Sequence, residues 1–259
     1  MREVTMTGIV IKQQVISERD KLLTILTKEN GIVYAFAGGA KMMRSRLFSA
    51  SQLFAYCRFI IYKGRDKYII NSADVIGTFR GLGDSLISLA AAQYFADIVR
   101  NTVPRDVEAG DMLRLLLNSL HFIVTGKRDI MLIKSVFELR AMAVAGFMPD
   151  FAQCNVCGRI LDSEAFFDLS SGECVCGGCR RTGVRYEELP PLFVHTMEYI
   201  CSSEMEKLFS FTLSKNACNM LSLITEKYVE LQLGKRLKTL DFFKNVAELQ
   251  DEYNKEIGD

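Results

Sequence analysis

The sequence predicts an α+β protein of several domains: a small β-barrel, a helical C-terminal domain and a cysteine-rich insert within the helical part. Three observations predict this arrangement. Short β-branched runs separated by turn residues fill residues 5–76. Apolar residues then recur with helical spacing. Two Cys-x2-Cys pairs interrupt the helical pattern. The chain has 259 residues, of which 49% are hydrophobic, so it is long enough to form two or three cores.

Five strands are predicted in the first part, because apolar runs alternate with turn signals such as Asn30-Gly31. Five short strands in so short a segment suit a closed barrel. The glycine-rich segment 77–83 marks its end, so we place the barrel domain at residues 1–80 and the helical domain at residues 81–259. The predicted strands cover residues 8–15, 21–27, 32–37, 53–62 and 68–75.

Six helices are predicted in the second part from the period of the apolar residues. Ser214 is a suitable N-cap and Gly234 a suitable C-terminal stop for the fifth of them. Asp106 and Asp129 are expected in first turns, where the helix dipole favours negative charge. The scattered Glu and Lys residues are expected to form solvated faces. The predicted helices cover residues 85–101, 106–125, 129–145, 191–202, 214–233 and 240–257.

The cysteine-rich insert, at about residues 150–186, predicts a metal site. Cys154 and Cys157 form the first Cys-x2-Cys pair, and Cys176 and Cys179 form the second. Two such pairs at this separation are typical of a tetrahedral Zn²⁺ site. Four thiolates fill the tetrahedron and leave no position for water or substrate, so the predicted zinc is structural.

Two alternatives to this ligand set remain at the level of sequence. Cys174 could replace Cys176, although the spacing of Cys176 and Cys179 matches that of the first pair. The four cysteines could also be ordinary buried residues, although the segment around them is rich in turn residues and polar. The other three cysteines, Cys57, Cys201 and Cys218, lie in apolar periodic segments and are expected in cores.

Positive charge is concentrated in the barrel domain. Residues 1–80 contain 13 Lys and Arg against 6 Asp and Glu, a net charge of +7, whereas the remaining residues contain 19 against 25, a net charge of −6. This asymmetry indicates a polyanionic partner for the barrel. Lys41, Arg44 and Arg46 lie on a loop that starts with two glycines and could follow phosphates. The alternative is a loop that is merely solvated.

The fourth strand extends this predicted nucleic-acid surface. Its odd positions are all apolar and should face the barrel core, whereas its even positions, 54 to 62, interleave aromatic residues with Arg58. Single-strand binding surfaces have this composition. The alternative is that the even face packs against the helical domain. The candidate nucleic-acid-binding residues are Lys41, Arg44, Arg46, Tyr56, Arg58, Lys63 and Arg65.

The sequence contains no recognisable catalytic constellation. Its two histidines, His121 and His195, lie in apolar helical segments, and neither supplies the His-x-Glu of a zinc deaminase. A phosphate-binding Gly-x4-Gly-Lys-Ser/Thr motif is also missing. We therefore expect a non-enzymatic protein, with a zinc-dependent enzyme acting on nucleic acid or nucleotide as the alternative. No signal peptide or membrane segment is recognised, so a cytoplasmic location without a membrane partner is expected.

An ordered set of motifs resembles the RecO family of bacterial recombination mediators over nearly the full chain. The motifs include Leu22-Leu23-Thr24, Ala37 to Lys41 with Ser45-Arg46, Glu138-Leu139-Arg140, Gly146-Phe147 and Pro149-Asp150 before the first cysteine pair, Phe166-Phe167-Asp168, and Leu233 to Leu240. The resemblance implies an N-terminal OB-fold and a helical C-terminal domain with an inserted zinc ribbon.

The resemblance also implies a function. Members of the family bind single- and double-stranded DNA, anneal complementary strands and work with RecR. Together they help RecA to load onto DNA coated by single-stranded DNA-binding protein, which implies a cytoplasmic, nucleoid-associated location. The helical domain contacts the acidic, apolar-ended tail of the coating protein. For Leu116, Leu120 and Phe137 the sequence favours core packing, with a floor for that tail as the alternative, and Arg140 is the candidate cation.

Overall fold

The computed structural model describes residues 2–64 and 68–258, and the chain divides into two compact units. The first unit spans Met1–Val124 and Asn245–Asp259, and the second spans Thr125–Lys244. The predicted fold class is confirmed, because a five-stranded barrel, a set of helices and a cluster of four cysteines are all present. The predicted domain boundary at residue 80 stays a prediction. Among the described helices, none combines the length and the hydropathy needed to cross a bilayer.

The first unit contains the barrel, whose strands are hydrogen-bonded in the order β1-β2-β3-β5-β4. All neighbouring strands are antiparallel except β3 and β5, which are parallel and share a pairing of only two residues. The barrel is therefore closed by a short seam at that point. The strands are β1 (Arg2–Val15), β2 (Lys21–Thr27), β3 (Gly31–Ala37), β4 (Tyr56–Lys63) and β5 (Tyr68–Gly77).

Strand β4 confirms the predicted alternation. Cys57, Phe59 and Ile61 point into the barrel and are fully buried, together with apolar residues from the other four strands. The start of the strand differs from the prediction, because β4 begins at Tyr56 and not at residue 53. Phe54, which was expected on the outer face, has a φ of 61° and is only 3% exposed. The chain turns there, so its side chain enters the core.

The segment that follows the first helix packs on the barrel at Gly31. A Cβ atom at this glycine would lie 2.2 Å from the carbonyl oxygen of Pro104, and its φ is +59°. Two backbone hydrogen bonds hold the two segments together, one from the Ile32 amide to Pro104 O and one from the Asp106 amide to Asn30 O. Asp106 has a φ of 58° and lies in this connection, so its predicted place in a helical first turn is wrong.

The predicted end residues of two other helices do lie at helix ends in the structure. The Asp129 carboxylate accepts hydrogen bonds from the amides of Met131 and Leu132. The Ser214 hydroxyl accepts one from the amide of Ala217, and Gly234 ends the same helix with a φ of 63°. The helices are α1 (Leu86–Thr102), α2 (Gly110–Thr125), α3 (Ile130–Val144), α4 (Pro191–Ser202), α5 (Lys215–Leu233) and α6 (Lys238–Gly258).

Helices α3 and α5 pack together around a buried ion-pair network in the second unit. The Lys134 ammonium, which is 1% exposed, lies 2.9 Å from Glu138 Oε1 and 3.3 Å from Glu226 Oε2. It also donates to the carbonyl and hydroxyl oxygens of Ser222. These residues were expected on solvated faces, and that expectation is wrong. An ammonium with two carboxylates and further acceptors can be buried because all of its donors are satisfied.

The insert forms a three-stranded sheet in the order β7-β6-β8 and packs on α5. The rings of Phe151 and Phe167 are 5.0 Å apart, and those of Phe167 and Tyr228 are 5.3 Å apart. The Tyr228 hydroxyl donates to the carbonyl oxygen of Phe147 over 2.8 Å. An aromatic stack thus joins the insert to the helix. The strands are β6 (Ala165–Asp168), β7 (Glu173–Val175) and β8 (Glu187–Leu189).

Candidate metal centre and nucleic-acid interface

The first cysteine pair lies at the tip of a tight hairpin. The Cys154 amide donates to the carbonyl oxygen of Arg159 over 2.7 Å, and Gln153 pairs with Ile160 one step further out. The Gly158 amide donates a hydrogen bond to the carbonyl oxygen of Cys154, and this glycine has a φ of +69°. Glycine adopts that backbone conformation without a steric penalty, so the chain can reverse directly behind the pair.

The second pair follows strand β7 and closes over a single turn. The Cys179 amide donates to the carbonyl oxygen of Cys176 over 3.0 Å, and Gly177–Cys179 form a 3-10 turn. The turn directs both of its thiols toward the first pair. The Cys176 amide also donates to the sulfur of Cys154 over 3.4 Å. The two pairs are therefore joined by backbone as well as by their side chains.

The four predicted ligands come together at one point. The sulfur atoms of Cys154, Cys157, Cys176 and Cys179 all lie within 4.8 Å of one another, and those of Cys157 and Cys176 are 3.8 Å apart. A Zn–S bond of about 2.3 Å gives a tetrahedron with edges of about 3.8 Å. The donor set and its spacing thus fit a tetrahedral metal ion with four sulfur ligands.

Local hydrogen bonds favour the thiolate form of Cys154, whereas hydrogen bonds with Cys157 and Cys176 raise the pKa of Cys179 to about 12. Burial opposes ionisation of Cys154, but hydrogen bonds from the amides of Cys176, Cys157 and Val156 to its sulfur lower the pKa of this thiol to about 6. Two arginines follow the second pair directly in the sequence. Arg180 stacks 4.2 Å from the centre of the Phe166 ring, and Arg181 is paired with Glu173 at 3.0 Å. Both cations are therefore held by residues of the small sheet beside the second pair.

Cys174 takes a different place from the four clustered cysteines. Its thiol is fully buried, and burial raises the pKa of this thiol to about 12. Its amide donates to the side-chain oxygen of Asn155 over 2.7 Å, and the Asn155 amide donates to its carbonyl oxygen over 3.0 Å. Cys174 therefore fastens β7 to the first pair through its backbone. Within the described residues, it is Cys176 that is grouped with the other three ligands.

The basic loop (residues 38–48) presents its cations to solvent from an anchored base. Lys41, Arg44 and Arg46 are all exposed. At the base, the Gly39 amide donates to the Asp20 carboxylate over 2.8 Å, and the Lys41 amide donates to the carbonyl oxygen of Arg19 over 3.0 Å. The Gly39 amide, followed by the Ser17 hydroxyl, holds the pKa of Asp20 below its usual range.

A buried lysine supports the other side of the same loop. Lys21 is 7% exposed, and its ammonium donates to Gln13 Oε1 over 2.8 Å and contacts the Ser51 hydroxyl at 3.4 Å. Burial, and then the nearby charge of Lys41, lower the pKa of Lys21. The Ser51 hydroxyl in turn donates to the carbonyl oxygen of Phe48. The hydrogen-bond partners of Lys21 are neutral, so they support the loop without cancelling the charge of the lysine.

The remaining predicted nucleic-acid residues are in different situations. Arg58 is exposed on the outer face of β4, and Tyr56 is half-buried on the same face. Lys63 is engaged, because its ammonium lies 3.5 Å from Asp106 and 5.4 Å from the centre of the Tyr68 ring. Arg65 lies outside the described residues. Among the described residues of the predicted set, the exposed cations are therefore the three of the basic loop and Arg58.

Comparison with known proteins identifies the family. Residues 1–79 match the family described as Recombination protein O N terminal, and residues 83–241 match Recombination protein O C terminal. The chain belongs to the RecO family. The matched segments together cover most of the sequence, and they include both cysteine pairs and the basic loop.

Curated relatives of this RecO-family chain match it over nearly their full length. DNA repair protein RecO of Acetivibrio thermocellus is 31% identical over 244 residues, which cover 94% of this chain and 97% of the relative. The protein of the same name from Caldicellulosiruptor bescii is also 31% identical, over 94% and 99%. That of Desulforamulus reducens is 28% identical, over 93% and 94%. The chain is thus a DNA repair protein of this family.

Leu116, Leu120 and Phe137 have the core role that the sequence favours, and their alternative role as a floor for the tail of a coating protein is wrong. Leu116, Leu120 and Phe137 are fully buried and have no surface to offer. Arg140 donates through its guanidinium to the carbonyl oxygens of Ile200 and Cys201. Sequence spacing could not separate these core positions from a surface groove, because both are apolar with helical spacing.

A groove that sequence reasoning missed lies between the insert and the end of α5. It is a cavity of about 720 Å³, and it belongs entirely to the second unit of this RecO-family chain. Leu231, which is 53% exposed, and Val184 give it apolar surface. Arg185 and Lys235 are exposed cations in its lining. The residues that line it are far apart in sequence, so no local pattern predicts it.

Proposed function

We propose that this RecO-family protein is a non-enzymatic mediator that binds single- and double-stranded DNA through its barrel. The observation that supports this most directly is the anchored basic loop with its three exposed cations, Lys41, Arg44 and Arg46. Cations on such a loop neutralise phosphates of any sequence and of either strand form. The same property suits annealing, because two strands must be screened from each other before they pair.

The wider role is part of the same proposal. The protein works with RecR and helps RecA to load onto DNA that is coated by single-stranded DNA-binding protein. This work takes place in the cytoplasm, at the nucleoid. The family membership supports it, and so does the concentration of positive charge in residues 1–80, which contain 13 Lys and Arg against 6 Asp and Glu.

We further propose that the four-cysteine cluster holds a structural Zn²⁺. Cys154, Cys157, Cys176 and Cys179 would supply all four ligands, and the metal would fasten the two halves of the insert. A zinc-dependent enzyme needs an open coordination position, and four thiolates leave none. The alternative of a zinc enzyme acting on nucleic acid or nucleotide therefore has less support.

Replacing Lys41, Arg44 and Arg46 together by Ala is expected to weaken binding to single-stranded and duplex DNA alike. Removing one phosphate interaction reduces the slope of log affinity against log salt by roughly 0.7 to 0.9, so the slope should fall by up to about two to three units. Fluorescence anisotropy across a salt series measures this. A charge-matched control replaces the exposed Lys127, Lys207 and Lys215, which lie in the other unit. Equal slopes for both variants would contradict the proposed interface.

Two single variants separate base stacking from packing on the outer face of β4. Tyr56→Ala should weaken single-strand binding by roughly 5- to 150-fold if a base stacks on the ring. Arg58→Ala should act mainly on the salt slope. A lower melting temperature without a change in affinity would assign Tyr56 to packing instead. We propose that both residues contact the strand beside the loop.

We propose the groove between the insert and α5 as the contact for the tail of the single-stranded DNA-binding protein. An acidic tail with an apolar end needs an apolar surface and nearby cations. Leu231 and Val184 supply the first, and Arg185 and Lys235 supply the second. Two further cations of the lining already have partners, since Lys227 pairs with Glu187 and Arg236 with Asp241.

A peptide of that tail is expected to bind the full chain. The double variant Arg185→Ala with Lys235→Ala should bind the peptide about 10-fold or more weakly, because it cannot form two charge-assisted hydrogen bonds. Added salt should weaken the wild-type complex. Calorimetric titration measures both effects. Lys215→Ala, at the other end of α5, is the control and should leave affinity unchanged. Unaltered binding in the double variant would place the tail elsewhere and leave the DNA interface untouched.

A further inference from the structure

A second cleft lies directly behind the basic loop, within the first unit. It is an open cavity of about 390 Å³ between the end of the loop, strand β1 and the connection from β5 to α1. Its walls are aromatic and apolar, with Phe48, Leu53 and Phe79 half-buried around it. A cavity of this volume accommodates one nucleotide but not a folded segment of another protein.

The backbone around the cleft is irregular at two places. Strand β1 has a bulge between Val10 and Lys12. Opposite the bulge, the Phe54 amide donates to the carbonyl oxygen of Val10 over 2.8 Å while Phe54 itself has a φ of 61°. A bulky residue in the left-handed region is strained, and such strain persists where the surroundings hold a binding site in shape. Bulges redirect side chains in the same way.

The side chains of Gln13 and Gln52 line the cleft, and each already uses one of its two polar groups in a hydrogen bond within the protein. Gln13 Oε1 accepts from the Lys21 ammonium, and Gln52 Nε2 donates to the carbonyl oxygen of Phe48 over 2.8 Å. The Gln13 NH2 group and the Gln52 oxygen have no hydrogen-bond partner among residues 2–64 and 68–258. The cleft thus offers one donor and one acceptor beside its aromatic walls. Arg80 is exposed at its edge.

The chemistry that fits these walls is an aromatic heterocycle attached to a phosphate. Phe48 and Phe79 provide flat apolar surface for stacking, the two glutamines provide edge contacts, and Arg80 and the basic loop provide positive charge. An uncharged hydrocarbon would leave the polar groups without partners, and a duplex cannot insert a paired base. A free nucleotide and a nucleotide of a single strand share the required chemistry.

We propose that this cleft receives one unstacked base of a single DNA strand whose phosphates follow the basic loop. The proposal rests on the proposed DNA-binding function and adds to it a way of distinguishing single strands from duplex. The loop is indifferent to strand form, whereas the cleft accepts only a base that is free to leave the stack. Phe48 belongs to the loop itself, so phosphate and base contacts are continuous.

The test compares wild type with Phe79→Leu, which removes the aromatic ring and keeps apolar bulk, and with Phe79→Ala. Binding is measured to oligodeoxythymidylate, to the same strand carrying abasic sugars, and to duplex. Wild type should prefer the strand with bases by roughly 5- to 150-fold, the value of one stacked base. Both variants should lose that preference and keep duplex affinity and salt slope. Phe242→Ala, an exposed ring in the other unit, should behave as wild type.

Each other outcome overturns the proposal in a distinguishable way. If Phe79→Leu keeps its preference for bases, or if wild type has none, the cleft is not a base site while phosphate binding by the loop stands. If wild type binds neither strand nor duplex, the proposed DNA-binding function fails together with it. If dTMP alone binds as tightly as the strand, the cleft is a site for free nucleotide and the strand assignment is wrong.

Discussion

Cys154→Ser and Cys179→Ser are each expected to abolish zinc binding and to unfold the insert. Structural zinc in small domains contributes about 10–16 kcal/mol of apparent binding free energy, which exceeds what a three-stranded sheet of this size can replace. Zinc per chain falls from one to none, and limited proteolysis cuts within residues 150–186. The barrel should keep its melting transition, because none of its strands supplies a ligand.

Cys174→Ser is the matched control for this prediction. Its thiol lies outside the cluster, and its amide and carbonyl groups, which bond to Asn155, are unchanged by the substitution, so the variant should keep one zinc per chain. Loss of zinc from this variant would move the ligand set to Cys174. Retention of zinc in both Cys154→Ser and Cys179→Ser would refute the metal centre altogether.

Lys134→Met is expected to lower the free energy of unfolding by about 3–5 kcal/mol. The substitution removes the ammonium that pairs with the buried side chain of Glu138, and it leaves Glu226 paired with Lys244. Removing the lysine from a buried ion pair is strongly destabilising even though Glu138 keeps the hydrogen bond from the Thr225 hydroxyl, whereas the complete network is close to neutral relative to an apolar core. Urea denaturation measures the change.

Lys227→Met provides a control on the same helix pair. Lys227 is half exposed and pairs with Glu187 at 3.4 Å, and a surface pair of this kind contributes at most about 1 kcal/mol. A loss below that value for Lys134→Met would contradict the network. The double variant Lys134→Met with Glu138→Gln should recover part of the loss, because it removes the buried carboxylate charge as well as the ammonium.

Local patterns predicted most of the fold because each of them has a local cause. Alternation placed Cys57 and Phe59 in the barrel, since side chains of a strand point to opposite faces. Ser214 and Gly234 marked the ends of α5, since a cap satisfies backbone groups of its own turn. The Cys-x2-Cys spacing likewise predicted the metal cluster, because the two cysteines of each pair lie on a single turn.

Features created by distant residues could not be predicted in this way. Lys134 is buried because it meets Ser222, which lies 88 residues further along the chain. Phe54 is buried at a turn whose amide bonds to Val10, 44 positions earlier, and Lys63 is held by Asp106 across 43 positions of sequence. A periodic lysine has the same appearance in a sequence whether it faces water or a buried carboxylate.

The anchored base of the basic loop has a kinetic consequence. Both of its sides are hydrogen-bonded to the barrel, through Asp20 at Gly39 and through Lys21 at Ser51. These hydrogen bonds restrict the backbone of the loop without any ligand, so little conformational entropy remains to be lost on binding. In the proposed DNA-binding role, such a preorganised cationic loop would capture a strand at a rate governed by long-range attraction and diffusion, and it would exchange one strand for the next without refolding.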